Sequence, residues 1–143
     1  MSVSVTSSVA NPYRHTIKAG NFTFYSDSDV PASKTTALVP KTAPTPHELL
    51  LGALGACTSM QVQAVARIKG LKLDEVKVDV SDTQTTPPGA TKPVRSIDKK
   101  VEIKAQNLSD KDKASLEKNA NRCHVNTVLT NSIPVVSTFN WTV

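Results

Sequence analysis

Residues 49–66 read LLLGALGACTSMQVQAVA, eighteen positions without one charged side chain and with Cys57 near the middle. The stretch is introduced by Thr45-Pro46-His47-Glu48. Thr45 is placed to cap a helix, proline suits the first helical position, and Glu48 three residues after Thr45 completes a capping box. Lys69-Gly70 supplies the cation and the glycine expected at a helix end. Apolar and small residues fall on every face of the intervening helix, which predicts burial on most sides. A membrane span is the rival reading. The run is near the short limit of about 17–25 residues for a span and includes Thr58, Ser59, Gln61, Gln63 and two glycines, so a central core helix is the better reading. Gly52, Ala53, Gly55 and Ala56 leave room for a second backbone to approach closely, which predicts a tight helix contact across a dimer.

At 143 residues the chain is long enough for one core, and a single domain is expected, with residues 1–12 as a loose tail. In YRHTIKAGNFTFYSD, Tyr13, His15 and Ile17 alternate, Gly20-Asn21 provides a two-residue turn, and Phe22 and Phe24 alternate on the return, predicting a hairpin. Residues 27–46 are polar and carry Pro31, Pro40, Pro44 and Pro46, the pattern of a long loop. Val76, Val78 and Val80 alternate, as do Val101, Ile103 and Ala105, predicting two half-buried strands. Ser109 and Asp112 open a second helix in which Leu116, Ala120 and Cys123 share the apolar face. A short helix is predicted before Pro134, and VVSTFNWTV reads as a closing strand. The order of elements gives an α+β fold with antiparallel strands and helices gathered on one face.

The formal charge of +5 favours anions only weakly. Its lysines are scattered among acids and six aromatics offer little for base stacking, so nucleic acid is not an expected partner. Nor is a membrane. The start MSVSVTSSVANPYR has neither the basic end nor the apolar core of an export signal, and the expected location is the cytoplasm. There, two cysteines are more often reactive, metal-bound or buried than stapled.

Cys57 and Cys123 are 66 positions apart, each predicted on the buried face of its own helix, so a fold can bring them together or leave them as inert core thiols. A metal site would draw on Cys57, Cys123, His124 and His47, but no C-x-x-C or H-x-x-x-H spacing supports it. No cofactor is expected.

TPHELLLGALGACTSM, followed some distance later by RCHVNTVL, resembles the OsmC/Ohr family of thiol-dependent peroxidases, in its OsmC-like branch. The resemblance runs from about Tyr13 to Val143. It implies an intertwined homodimer with strands wrapped around long central helices, Cys57 as the peroxidatic residue and Cys123 as the resolving one. It also implies an organic hydroperoxide substrate, an external dithiol reductant, and no metal, haem or flavin. Better-known peroxidases of the family pair the reactive cysteine with an amino-terminal arginine held by a glutamate directly after the helix-start proline. Here His47 occupies that position and Glu48 follows it. Arg14, the only arginine before the helix, and Glu48 are the candidates for that pair. Each has a structural alternative: Arg14 as a strand residue, Glu48 as the capping acid. Arg122, beside Cys123, is a candidate cation for that thiol. A non-catalytic dimeric domain that binds a small hydrophobic ligand is the alternative function.

Overall fold

The computed structural model describes residues 1–8, 10, 13–31, 38–131 and 134–141. Its antiparallel sheets and three helices among the described residues are the α+β class expected. The chain groups into two compact units, Met1–Gly52 and Ala53–Val143.

In the first unit, β1 (Val3–Thr6), β2 (His15–Ala19) and β3 (Phe22–Ser26) form a three-stranded antiparallel sheet in that order. The predicted hairpin is β2–β3: Ala19 pairs with Phe22 around Gly20-Asn21. Gly20 takes φ 58 while Asn21 stays out of the left-handed region, the pattern of a II′ turn. Residues 3–6 are a strand rather than part of a loose tail, because Val3–Thr6 finds the free edge of β2, with Val5 opposite Ile17. The expected long loop contains a two-residue ladder, β4 (Val30–Pro31) with β5 (Leu38–Val39); residues 32–37 lie outside the described residues.

The helix α1 (Pro46–Ile68) begins and ends where its caps predict. The Glu48 amide donates to Thr45 Oγ1 at 3.2 Å, and the Thr45 amide donates to Glu48 Oε2 at 2.8 Å, the reciprocal bonds of a capping box. Gly70 closes the end at φ 67. The helix is long and apolar enough to cross a membrane by length and composition, with a mean hydropathy of 1.4 in its most apolar stretch.

Burial on most sides does not hold for α1. Leu54, Gly55, Thr58, Val62 and Ala66 form one buried stripe, while Ala53, Ala56, Met60 and Ala64 face outward. The stripe packs in the second unit. There β6 (Leu73–Thr85) and β7 (Val94–Ala105) make a long antiparallel hairpin, with Val76 opposite Ile103 and Val78 opposite Val101. Gly55 is needed at the approach: a Cβ there would lie 3.3 Å from Val80 Cγ2. Val62 and Ala66 meet Leu116 and Ala120 of α2 (Asp110–Ala120) to form the core, flanked by Val76 and Ile103.

Ser109 caps α2 as predicted, its hydroxyl accepting the Asp112 amide at 3.1 Å. The helix stops at Ala120, before Cys123, so Cys123 does not share its face; the residue opens α3 (His124–Thr130) instead. Among the described residues, 134–141 form no strand, and Val135, Phe139 and Trp141 are exposed. Alternation alone cannot make a strand without an edge to pair with.

Candidate active site

The break between α2 and α3 delivers Cys123 to the buried stripe of α1. Its side chain is 1% exposed, and its sulfur lies 3.5 Å from Thr58 Oγ1. Thr58 is wholly buried, and this contact engages its hydroxyl. Cys57, the preceding residue on α1, is half-buried, and its thiol is among the groups that lower the Cys123 thiol. Both cysteines are free thiols. Two residues 66 positions apart in sequence are thus brought near, one on α1 and the other against the next residue of that helix.

Burial pushes the Cys123 thiol up and is the largest single effect, but the opposing effects together win. The Thr58 hydroxyl, the Asn126 amide, the Cys57 thiol and the Lys99 ammonium together hold it below its ordinary value. The Asn126 N–H faces the sulfur without completing a full cap hydrogen bond. Lys99 comes from β7, where it continues the inward row of Val101, Ile103 and Ala105. Its Nζ donates to Ala120 O and to Asn126 Oδ1, both at 3.2 Å.

Arg122, a candidate cation for Cys123, is exposed; Lys99 is the charged group among those that lower the thiol, behind Thr58, Asn126 and Cys57 in effect. An inward-facing lysine in an otherwise apolar alternation was the available signal. Thr58 and Asn126 were missed because each acts across long sequence separations or through a backbone group. A cleft of about 450 Å³ has a wall that includes Leu54, Ile97, Leu129, Arg95, Lys99 and Asn126, and neither cysteine lines it. A larger cleft of about 690 Å³ between β7 and α2 also reaches Lys99 but neither cysteine. Among the described residues, no three of His, Cys, Asp and Glu gather to hold a metal.

Arg14 and Glu48 belong to the first unit, and each has partners there. Arg14 lies 4.3 Å from the centroid of the Tyr25 ring and donates to Thr42 Oγ1 at 2.6 Å. Thr42 passes the contact on, its hydroxyl and its amide both donating to Asp27 Oδ2 at 3.0 Å. The Thr42 and Ser28 amides hold the Asp27 carboxyl below the usual carboxylate range against the opposing effect of burial, with Arg14 assisting. Glu48 takes both oxygens to Lys41 Nζ, at 2.6 and 2.7 Å, besides its capping role, and its carboxyl too is held down, chiefly by Lys41. His47 is half-buried.

The fold is an α+β chain whose two cysteines are free thiols, Cys57 on α1 and Cys123 against Thr58 of the same helix. Residues 39–138 match the family described as OsmC-like protein, and the chain belongs to that family. Solved structures agree on the fold. An OsmC-like protein from Mycoplasma pneumoniae matches with a TM-score of 0.67 at 20% identity, over 92% of this chain and 87% of that one. The organic hydroperoxide resistance protein OsmC of Legionella pneumophila gives 0.60 at 13%, over 90% and 88%. OhrB of Bacillus subtilis, named for organic hydroperoxide resistance, gives 0.59 at 13%, over 92% and 90%. No curated protein matches the chain.

Proposed function

We propose that this chain is a cysteine-based peroxidase that reduces organic hydroperoxides in oxidative-stress defence. The observation that carries the reading is the seating of the buried Cys123 sulfur 3.5 Å from Thr58 Oγ1, next along α1 from Cys57. Family membership and the names of the resistance proteins with the same fold support it.

Exposure sets the order of events. Cys57 is half-buried and reachable by a peroxide, whereas Cys123 is closed off, so Cys57 attacks first. Its sulfur bonds to the outer peroxide oxygen, the O–O bond breaks, and the alkoxide leaves with the proton that Cys57 gives up, as an alcohol. The sulfenic acid on Cys57 then meets Cys123: an S–S bond forms, the S–O bond breaks, and water departs. An external dithiol exchanges with the disulfide and restores both thiols. Substrate, two thiols and reductant balance the electrons, so the cycle needs no cofactor. The apolar side of the cleft that Leu54, Ile97 and Leu129 line favours a carbon-bearing peroxide, since each buried CH₂ contributes about 0.8 kcal/mol.

The functional unit in this reading is a homodimer. Support comes from large apolar side chains left exposed on the chain, among them Phe22, Met60, Phe139 and Trp141.

Consumption of cumene hydroperoxide with a dithiol reductant tests the reading. Cys57→Ser is expected to fall to the uncatalysed rate. Mass spectrometry after one equivalent of peroxide is expected to find a Cys57–Cys123 disulfide. A wild-type rate no higher than that of Cys57→Ser would overturn the enzyme reading, and tight peroxide binding without turnover would favour a ligand-binding domain.

A further inference from the structure

Thr58 carries a hydroxyl into an apolar stripe. Its buried neighbours along α1 are Leu54, Gly55, Val62 and Ala66, and Thr58 is itself wholly buried. A valine of the same shape would fill that place without a polar atom to satisfy. A threonine inside a helix commonly turns its hydroxyl back onto the carbonyl one turn earlier, as Thr127 does to Cys123 O at 3.2 Å and Thr130 to Asn126 O at 2.9 Å. Thr58 does otherwise: among the described residues its hydroxyl has one partner, the Cys123 sulfur, 3.5 Å away. The backbone of Cys123 is fixed independently. Its carbonyl accepts the Thr127 amide at 3.0 Å as well as the Thr127 hydroxyl. The Lys99 ammonium bonds Ala120 O and Asn126 Oδ1, three residues before the cysteine and three after it, and so joins the two sides of its turn.

We propose that Thr58 is a positioning residue: its hydroxyl holds the buried Cys123 sulfur against α1, one residue along from Cys57, and so keeps Cys123 poised to close a disulfide on Cys57. The purpose of that disulfide rests on the peroxidase reading; the poise does not. Consecutive Cα atoms are about 3.8 Å apart, so a sulfur held at Thr58 stands beside the residue it must reach. A hydroxyl suits the task in both protonation states, since it accepts from the thiol and donates to the thiolate. The ionisation of Cys123 agrees: burial raises it, and among the groups that lower it Thr58 is foremost. In closure on a sulfenic acid the Cys123 sulfur forms the S–S bond, the Cys57 S–O bond breaks, and the departing hydroxide leaves as water with the Cys123 proton. Cys123 is oxidised, and the Cys57 sulfur is reduced to the disulfide level. Closure on a mixed disulfide is the same attack with a thiolate as the leaving group.

One equivalent of dithiobis(nitrobenzoate) reads that attack without peroxide. The half-buried Cys57 reacts first and releases one coloured thiolate; Cys123 then attacks the mixed disulfide on Cys57 and releases a second. Thr58→Val keeps the shape and loses the hydroxyl. It is expected to leave the first phase unchanged and to slow the second about fivefold, the worth of one hydrogen bond, while Thr58→Ser returns it to within about twofold of wild type. In the Cys57→Ser protein Cys123 is the one thiol, and there Thr58→Val is expected to raise the midpoint of thiolate ultraviolet absorbance against pH. A second phase as fast in Thr58→Val as in wild type overturns the proposal, as does a second phase that Thr58→Ser slows equally or a midpoint that Thr58→Val leaves unmoved. Release of a single equivalent by wild type overturns it whether or not the variants fold. Wild type that releases both equivalents and leaves cumene hydroperoxide unconsumed defeats the peroxidase reading alone.

Discussion

The two compact units hold themselves together by opposite means. In Ala53–Val143 the buried side chains are mostly apolar: Leu54, Val62, Ala66, Leu116 and Ala120, with Cys123 and Thr58 at their margin. In Met1–Gly52 the buried side chains among the described residues are polar, Ser26 and Asp27. Both fasten the chain around Pro44: the Ser26 hydroxyl and the Asp27 amide donate to the Pro44 carbonyl at 3.1 Å, while the Asp27 carboxylate collects Thr42 and Ser28. The contrast separates two uses of charge. Asp27 and Glu48 each have several donors; Lys99 has two neutral acceptors, Ala120 O and Asn126 Oδ1. Those carboxylates fix a loop and a helix end. The half-buried Lys99 ammonium instead joins the two sides of the turn that carries Cys123.

Truncation of the apolar core is the largest way to test this division. Leu116 is fully buried among Val62, Ala66 and Ala120, so Leu116→Ala is expected to cost roughly 3 kcal/mol in urea unfolding. A loss below about 1 kcal/mol would mean that the core around α2 is looser than its packing implies. Next in size is the helix cap. Thr45→Ala removes the acceptor for the Glu48 amide and is expected to cost about 1 kcal/mol, with no change in the Cys123 ionisation midpoint. A shifted midpoint would break the separation between cap and thiols.

What the sequence made legible follows the range of each interaction. The capping boxes at Thr45 and Ser109 and the turn at Gly20-Asn21 are local, a few residues wide, and fold where their chemistry predicts. Cys123 was assigned to the wrong helix because the i, i+4, i+7 pattern runs on past Ala120, while the chain breaks there and restarts at His124. The Asp27–Thr42 knot and the Lys99–Asn126 hydrogen bond join residues 15 and 27 positions apart, beyond the reach of local patterns. The alternation at Val135, Phe139 and Trp141 is that of a strand, but a strand forms only where an edge receives it.

The smallest expected effect sets the two regions at opposite ends of the pH scale. Asp27 is held below its unfolded value, so its contribution is present above the ordinary carboxylate range and disappears as pH falls through the folded value. The acid loss should therefore be smaller in Asp27→Asn, measured as the change in urea midpoint between neutral and acid pH. Cys123 is likewise held below its unfolded value, but that value is a thiol's, about 8.5. Its contribution is lost as pH falls through the folded value and grows as pH rises toward the unfolded one. Wild type should gain stability relative to Cys123→Ser between neutral pH and about pH 9. The raised lysines, Lys77, Lys100 and Lys104, lose their contributions only at more alkaline pH and cancel in that difference. Equal slopes for wild type and Cys123→Ser would mean that the thiol is as acidic in the unfolded chain as in the fold, and the pocket of Thr58, Asn126, Cys57 and Lys99 would then have no effect on its ionisation.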